Sequence, residues 1–361
     1  MKKPKINKPK LKKPTVRFIR RAKTVEERVS DAISNVPRIT NDTVADHRED
    51  VLSSARKYIY PLQHSKHSVV RISVTLLVTV VILFLAFCGL DLYKFQGTSG
   101  FIYDVTEILP FPVAKTGGTY VSYQSYLFEL RRNTHYYATQ QQANFSTKTG
   151  KDQLKRLKQQ ALDYAVQVAL VKKLAKQNQV TVSDQAVNDQ VQLLRNENRL
   201  GSSNNVFKEV LSEYYGWTED NFKQELQQEM LQQAVVAKLD KPVESKAQNV
   251  LKQIDNGGNF ATLATQYSDD LQTKSNGGQY PSAITINDQQ IPPSLTSVLF
   301  QLKVGQVSGV INTGYTLEIA KIIDRTGNSL HAAHIQFNLQ SINTYLKPLE
   351  TKQPTHHYIK V

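Results

Sequence analysis

The chain of 361 residues carries 45 Lys and Arg against 31 Asp and Glu, a formal net charge of +14, and is long enough for two or three domains. Its single cysteine, Cys88, excludes an intramolecular disulfide and any multi-cysteine metal site, so the folded parts must rest on their cores. The 13 prolines and 16 glycines are few enough for most of the chain to fold.

Most of the excess charge lies in residues 1–67, which open "MKKPKINKPKLKKPTVRFIRRAK". The Lys-Pro run to Lys13 supports neither a helix interior nor a core and reads as disordered. Residues 24–36 and 42–58 read as short amphipathic helices beside a membrane. This basic tail is either a solvated, topology-setting segment or a site for anionic lipid or nucleic acid.

"ISVTLLVTVVILFLAFCGL", residues 72–90, holds no charge and is bounded by Arg71 and Asp91. As a helix it spans roughly 30 Å of hydrocarbon, and it is too long for one buried strand. Lys57, Lys66 and Arg71 on its N-terminal side keep that side in the cytoplasm by the positive-inside rule. Everything after Asp91 is therefore expected outside. A cleaved signal would be shorter and nearer the N-terminus. "LAFC" before Gly89 has only a faint likeness to a lipid-attachment site, because Phe87 is bulky, so Cys88 reads as a plain membrane cysteine.

Residues 96–118 are rich in Gly, Pro and Thr and read as a linker. Helical spacing follows: Leu154, Leu157, Ala161, Ala165, Val168 and Ala169 form one stripe. Ser183 is the expected N-cap of the next helix, with Asp184 in its first turn. Gly216 breaks a later helix, and Thr218 caps the one after it. There Phe222, Leu226, Met230 and Ala234 repeat every fourth residue. No catalytic constellation lies on these faces. The order of "QVTVSDQAV", "YGWTEDNFKQEL" and a final Gln-rich helix resembles the N-terminal chaperone domain of the SurA and PrsA foldases. That resemblance implies a groove for unfolded client chains.

"VESKAQNVLKQIDNGGNFATLATQYSDDLQTKSNGGQYP" gives a helix stopped by Gly257 and Gly258, then a shorter one through Phe260, Leu263 and Ala264. "YSDD" and "NGGQY" are joined by a polar loop, and "SLTSVLFQLKVGQVSGVINTGYTLEIAKIID" reads as a helix, a Gly305 turn and two strands. This order resembles the parvulin family of peptidyl-prolyl isomerases. The resemblance implies an FKBP-like antiparallel sheet with helices. It assigns Ile291, Leu295 and Phe300 to the apolar proline pocket, Gly278 to substrate binding and Asp270 to a position beside the rotating bond. The alternatives are ordinary core for Leu295 and Phe300, and turn capping for Asp269 or Asp270. Two departures stand out. No strand with a His-Ile-Leu motif precedes the first helix, and Thr316 follows Gly314 and Tyr315 where the family has a histidine.

"NSLHAAHIQFNL", residues 328–339, alternates like a half-buried strand, with Ala333, Ile335, Phe337 and Leu339 on one face and His334 on the other. It reads as the missing first strand displaced past the last one, joined by a turn at Gly327 and Asn328. It would bring His334 into the cleft near Thr316. The alternatives are an unrelated edge strand or the remnant of a second parvulin repeat. His356 and His357 have no carboxylate or cysteine spaced to join them, so no metal or cofactor is implied.

The expected protein is α+β, with a basic cytoplasmic tail (1–68), a transmembrane helix (69–93), a linker (94–119), an all-α chaperone domain (120–240), a parvulin-like domain (241–345) and a C-terminal tail (346–361). The expected catalytic residues are Asp270, His334 and Thr316. The resemblance implies a foldase for secreted or surface proteins that isomerises X–Pro bonds, with unfolded or proline-containing polypeptides as partners and lipid around residues 72–90. The alternative is an isomerase-inactive holdase or envelope scaffold of the same architecture.

Overall fold

The computed structural model describes residues 24–34, 39–59, 62–201 and 203–361. The chain divides into Met1–Leu83 and Phe84–Val361. In the first unit, α1 (Val25–Ser34) and α2 (Asn41–Ile59) fall where the two short helices are expected. The Lys-Pro run to Lys13 lies outside the described residues. The uncharged run lies in α3 (Leu62–Leu90), whose last turns belong to the second unit. With the wider turn Asp91–Phe95 that continues it, this gives Ser68–Phe95, the one stretch among the described residues long and apolar enough to cross a membrane. Ile72, Leu76, Leu77 and Leu83 are all exposed, unlike the buried stripe of a soluble core helix.

The second unit corrects the linker expectation. Residues 94–119 hold α4 (Gly100–Ile108), capped by the Ser99 side chain, and β1 (Pro112–Thr116). β1 pairs antiparallel with β2 (Thr119–Ser122) through a turn in which Gly117 and Gly118 have φ of +50° and +77°. The glycines are hairpin chemistry rather than slack.

Five helices follow: α5 (Tyr123–Thr139), α6 (Lys148–Gln177), α7 (Asp184–Asn196), α8 (Asn204–Val210) and α9 (Glu219–Leu239). Ser183 caps α7 by accepting from the Ala186 N–H, and Thr218 and Asn221 cap α9 reciprocally. The α6 stripe is buried from Leu157 to Ala169, with Leu154 half-buried beside it. The α9 stripe is not: Phe222, Leu226, Met230 and Ala234 stay half-exposed, while Val235 and Val236 enter the core.

The C-terminal segment corrects two further expectations. α13 (Ile342–Lys352) and β7 (His356–His357) fold back onto the helical domain. Ile342, Leu346 and Ile359 are buried in the same core as Leu127, Val113 and Leu170. β7 pairs antiparallel with β1, giving a sheet of order β2-β1-β7. The helical domain is thus not all-α, and residues 346–361 are not a tail. The spacing of Ile342, Leu346 and Leu349 is one helix face, which buries only because the chain returns to α6.

The other domain begins after Asp240, where α9 gives way directly to α10 (Lys241–Asp255), followed by α11 (Phe260–Tyr267). β3 (Ile284–Thr285), α12 (Pro293–Gln301), β4 (Ile311–Asn312), β5 (Thr316–Thr326) and β6 (Ser329–Asn338) complete it. The sheet is antiparallel in the order β3-β6-β5-β4, so the long β5–β6 hairpin is its centre. Its two-residue turn puts Gly327 at φ +59° in the first central position, as tight hairpins favour. One face of the hairpin (Leu317, Ile319, Ala333, Ile335, Phe337) packs on α10 and α11. The other (Ala320, Ile322, Leu330, Ala332) packs on Leu295 and Leu299 of α12. His334 lies on this second face, next beyond Ala332, where the row passes from core into a cleft.

Candidate active site

β3 covers only the turn end of β6, at Ser329 and Leu330. The rest of that edge is closed by two loop segments rather than a strand. The Asp269 N–H donates to the Gln336 carbonyl (2.7 Å), the Gln336 N–H to Ser268 Oγ (3.1 Å) and the Asn338 N–H to Asp269 Oδ2 (2.9 Å). The His334 N–H donates to the Gly278 carbonyl (2.8 Å), and the Tyr280 N–H to the Ala332 carbonyl (3.0 Å). The "YSDD" and "NGGQY" motifs are therefore the elements that satisfy β6 and aim Asp270 and Tyr280 at His334.

His334 is 4% exposed. Its Nδ1 is 2.9 Å from Glu318 Oε2, and its Nε2 is 3.0 Å from Asp270 Oδ2 and 2.9 Å from Thr273 Oγ1. Tyr280 stacks on the ring, with centroids 4.3 Å apart and planes 22° apart. The Thr273 hydroxyl donates to Asp270, and Thr316 Oγ1 donates to Glu318 Oε1 at 2.7 Å. Burial disfavours the charged imidazole, but the hydrogen bond and charge of Glu318, followed by those of Asp270, outweigh it and hold His334 above its ordinary value. Burial likewise works against the Asp270 carboxylate, yet bonds from Thr273, the Gln272 backbone and His334 bring it below its usual range. An imidazolium with both N–H groups donated to carboxylates fits these directions. Tyr280 is pushed up by burial and by the Glu318 and Asp270 charges, so its phenol stays neutral.

The cleft beside this network has a volume of about 1030 Å³. Asp270, Thr316, His334, Ile291 and Leu295 of the expected residues line it. Two do not. Phe300, in the last turn of α12, packs half-buried against the cluster that holds Leu295, Leu299 and Ile322, with the Arg325 guanidinium 5.5 Å from its ring centroid. Gly278, at φ +83°, lies against β6: a Cβ there would sit 2.2 Å from the His334 carbonyl oxygen, so the glycine serves close backbone approach. Thr316 does not touch His334 but reaches it through Glu318.

Sequence reasoning missed Glu318, Thr273 and Tyr280. Period-two alternation puts Thr316, Glu318 and Ala320 on one face, which points to Glu318 once the register with His334 is known. The Gly314–Tyr315 pair points to Thr316, two residues short of Glu318. Also missed was the opposite wall, formed by Leu226, Met230 and Ala234 of α9 and Val182, Ala186 and Leu194 at α7. Tyr315 joins the walls by donating its hydroxyl to Glu229 Oε1 at 2.7 Å.

Comparison with known proteins finds two family models on this chain. Residues 62–236 match the SurA-like N-terminal domain, and residues 228–324 match the PPIC-type PPIase domain. The chain carries both domains. The PPIase match stops just before β6, so the strand bearing His334 lies beyond it. Among relatives, the foldase protein PrsA 1 of Lactobacillus johnsonii is 32% identical over 91 residues, 25% of this chain and 30% of that protein. The foldase protein PrsA of Caldanaerobacter subterraneus is 26% identical over 194 residues, 48% of this chain and 58% of that one. A parvulin-like PPIase of Rickettsia typhi is 29% identical over 121 residues, 34% of this chain and 41% of its own length. The matched part is thus less than two thirds of each relative. The SurA-like match takes in α4 and the β1–β2 hairpin, in keeping with their place in the helical core.

Proposed function

We propose that this chain is a membrane-anchored foldase that holds unfolded polypeptides and isomerises X–Pro bonds in the cleft around His334. The observation that carries this reading is the convergence of Asp270, from a parvulin motif, and His334, from β6, on one hydrogen-bonded centre. In this reading β6 is the parvulin first strand, entered from the C-terminal side. The hydrogen bonds from "YSDD" and "NGGQY" to β6 favour it over an unrelated edge strand. Rotation about X–Pro faces a barrier of roughly 18–20 kcal/mol because amide resonance is lost in the twisted state. The cleft lowers it by binding that state better than either planar isomer. Ile291, with Pro292 and Leu295 behind it, offers an apolar wall to the proline ring, and the Asp270–His334 edge faces the rotating carbonyl. The half-exposed α9 stripe offers apolar contact to the flanking client chain.

The full chain in detergent is expected to accelerate relaxation of a proline tetrapeptide from cis to trans, and Asp270→Ala to slow it at least tenfold. An uncatalysed rate with folded wild-type chain overturns the isomerase reading. One observation favours the holdase instead: both imidazole edges are occupied internally and Tyr280 covers a ring face. A holdase would delay aggregation of a proline-free client while leaving the tetrapeptide rate unchanged.

The anchor is Ser68–Phe95, with Arg71 beside it on the N-terminal side. Protease added to intact spheroplasts is expected to digest residues 94–361 and spare the basic tail, by the positive-inside rule. Protection of the C-terminal domains would reverse this topology.

A further inference from the structure

The loop 286–291 joins β3 to α12 and carries Ile291, the apolar wall of the cleft. Among the described residues, no backbone N–H donates to the carbonyls of Asp288, Gln289 or Ile291. All three are met instead by one side chain from the helical domain. Arg199, which follows α7, donates Nη2 to the Asp288 carbonyl at 2.5 Å and to the Ile291 carbonyl, and Nη1 to the Gln289 carbonyl at 3.3 Å. Its Nε donates to Glu197 Oε2 at 2.8 Å, and the Glu197 side chain is 2% exposed. The guanidinium is therefore held at its back by a buried carboxylate and presents its fork to three carbonyls. A planar five-donor group suits this task, because it meets three diverging carbonyls while a further N–H still reaches Glu197.

We infer that Arg199 is a positioning residue through which the SurA-like domain fixes the Ile291 wall of the cleft in the PPIase domain. This rests on the isomerase reading for its kinetic consequence but not for the clamp itself. A loop whose carbonyls have no partner in its own domain is free to shift, and a pocket wall displaced by an ångström loses contact with the proline ring in its planar and twisted states alike, which weakens binding. Arg199 touches no reacting atom. Its effect reaches the substrate only through Ile291.

The test uses the full chain in detergent, with Arg199→Met, which keeps the stem and removes the fork, and Arg199→Lys, which restores one charged donor. Two readouts are taken: hydrogen exchange of the amides of 286–291, and kcat and KM for a proline tetrapeptide. Arg199→Met is expected to speed exchange in the loop by about tenfold and to lower kcat/KM by about tenfold, chiefly through KM. Arg199→Lys is expected to recover part of both. A merely structural role would lower the unfolding temperature and leave the KM of the folded enzyme unchanged. Unchanged loop exchange in Arg199→Met overturns the clamp, and faster exchange with unchanged KM overturns its positioning role. If wild-type chain shows no isomerase activity, the isomerase reading fails by itself, and the positioning role is judged by tetrapeptide affinity in the same variants.

Discussion

A chain ended after Gln340 is expected to keep a folded PPIase domain and to lose cooperative folding of the helical domain. A chain ended after Gly327 is expected to lose both. The first truncation removes α13 and β7, and with them Ile342, Leu346 and Ile359 from the core around α5 and α6. Each such side chain contributes about 1.5–3 kcal/mol of burial, and the three together reach the lower end of the roughly 5–15 kcal/mol that holds a domain folded. It also unpairs β1 from β7. The PPIase sheet is untouched, because β6 ends at Asn338 and the Gln340 N–H still reaches Asp240 Oδ2 at 2.8 Å. The second truncation removes a central strand. It strips Ile335 and Phe337 from α10 and α11, leaves β3 and both loop motifs without their partner strand, and leaves β5 paired only with the two residues of β4. Thermal unfolding followed by hydrogen exchange in each domain separates the outcomes. If the Gln340 truncation leaves the exchange protection of α5 and α6 unchanged, the C-terminal segment is dispensable. If the Gly327 truncation leaves α10 and α11 protected, β6 is not part of that fold.

The two domains differed in how much could be read from sequence. The β5–β6 hairpin was legible because alternation, a Gly-Asn turn and the face assignment of Ile335, Phe337 and His334 are local and agree with each other. Helix caps at Ser183 and Thr218 were legible for the same reason. What escaped depends on contacts far apart in sequence. The face formed by Ile342, Leu346 and Leu349 shows only that a helix exists, not that it packs beside α6. β7 has two residues, too few for any pattern, and owes its existence to β1. Gly117 and Gly118 have the composition of a linker, and only the pairing of their flanking strands makes them a hairpin turn. The α9 stripe had correct periodicity but the wrong destination: Leu226 and Met230 face a cleft, which sequence spacing cannot distinguish from a core. At the site, Asp270 and His334 came from motifs and alternation. Glu318 required the register between strands, and Arg199 required the contact between domains.

Replacing Glu318 with glutamine is expected to cost about 3–5 kcal/mol near neutral pH and to change how stability depends on pH. Glu318 is 2% exposed and lies against an imidazole that is 4% exposed, so losing its charge leaves His334 buried with Asp270 alone. In the wild type, His334 is held above its ordinary value of 6.5. A raised histidine contributes stability that is fully present below the unfolded value and is lost as pH rises through the folded value. Wild-type stability should therefore fall as pH increases beyond 6.5. With Glu318→Gln, the main cause of the upward shift disappears and burial, which favours the neutral ring, becomes the stronger influence. The unfolded state then binds the extra proton more readily than the folded one, and the slope flattens or reverses. Asp270 acts in the opposite range: its depressed value contributes stability above the ordinary carboxylate value of 3.8 that is lost only as acid protonates it. The two groups are therefore separable by pH. Urea midpoints for the PPIase domain measured in the full chain, at about pH 6 and about pH 8, give the two slopes. Equal slopes in wild type and Glu318→Gln would show that Glu318 does not set the charge of His334. The double variant Glu318→Gln with His334→Leu separates charge from packing, because replacing both buried partners removes the unpaired group as well as the pair. It should recover stability relative to Glu318→Gln alone while losing any isomerase activity.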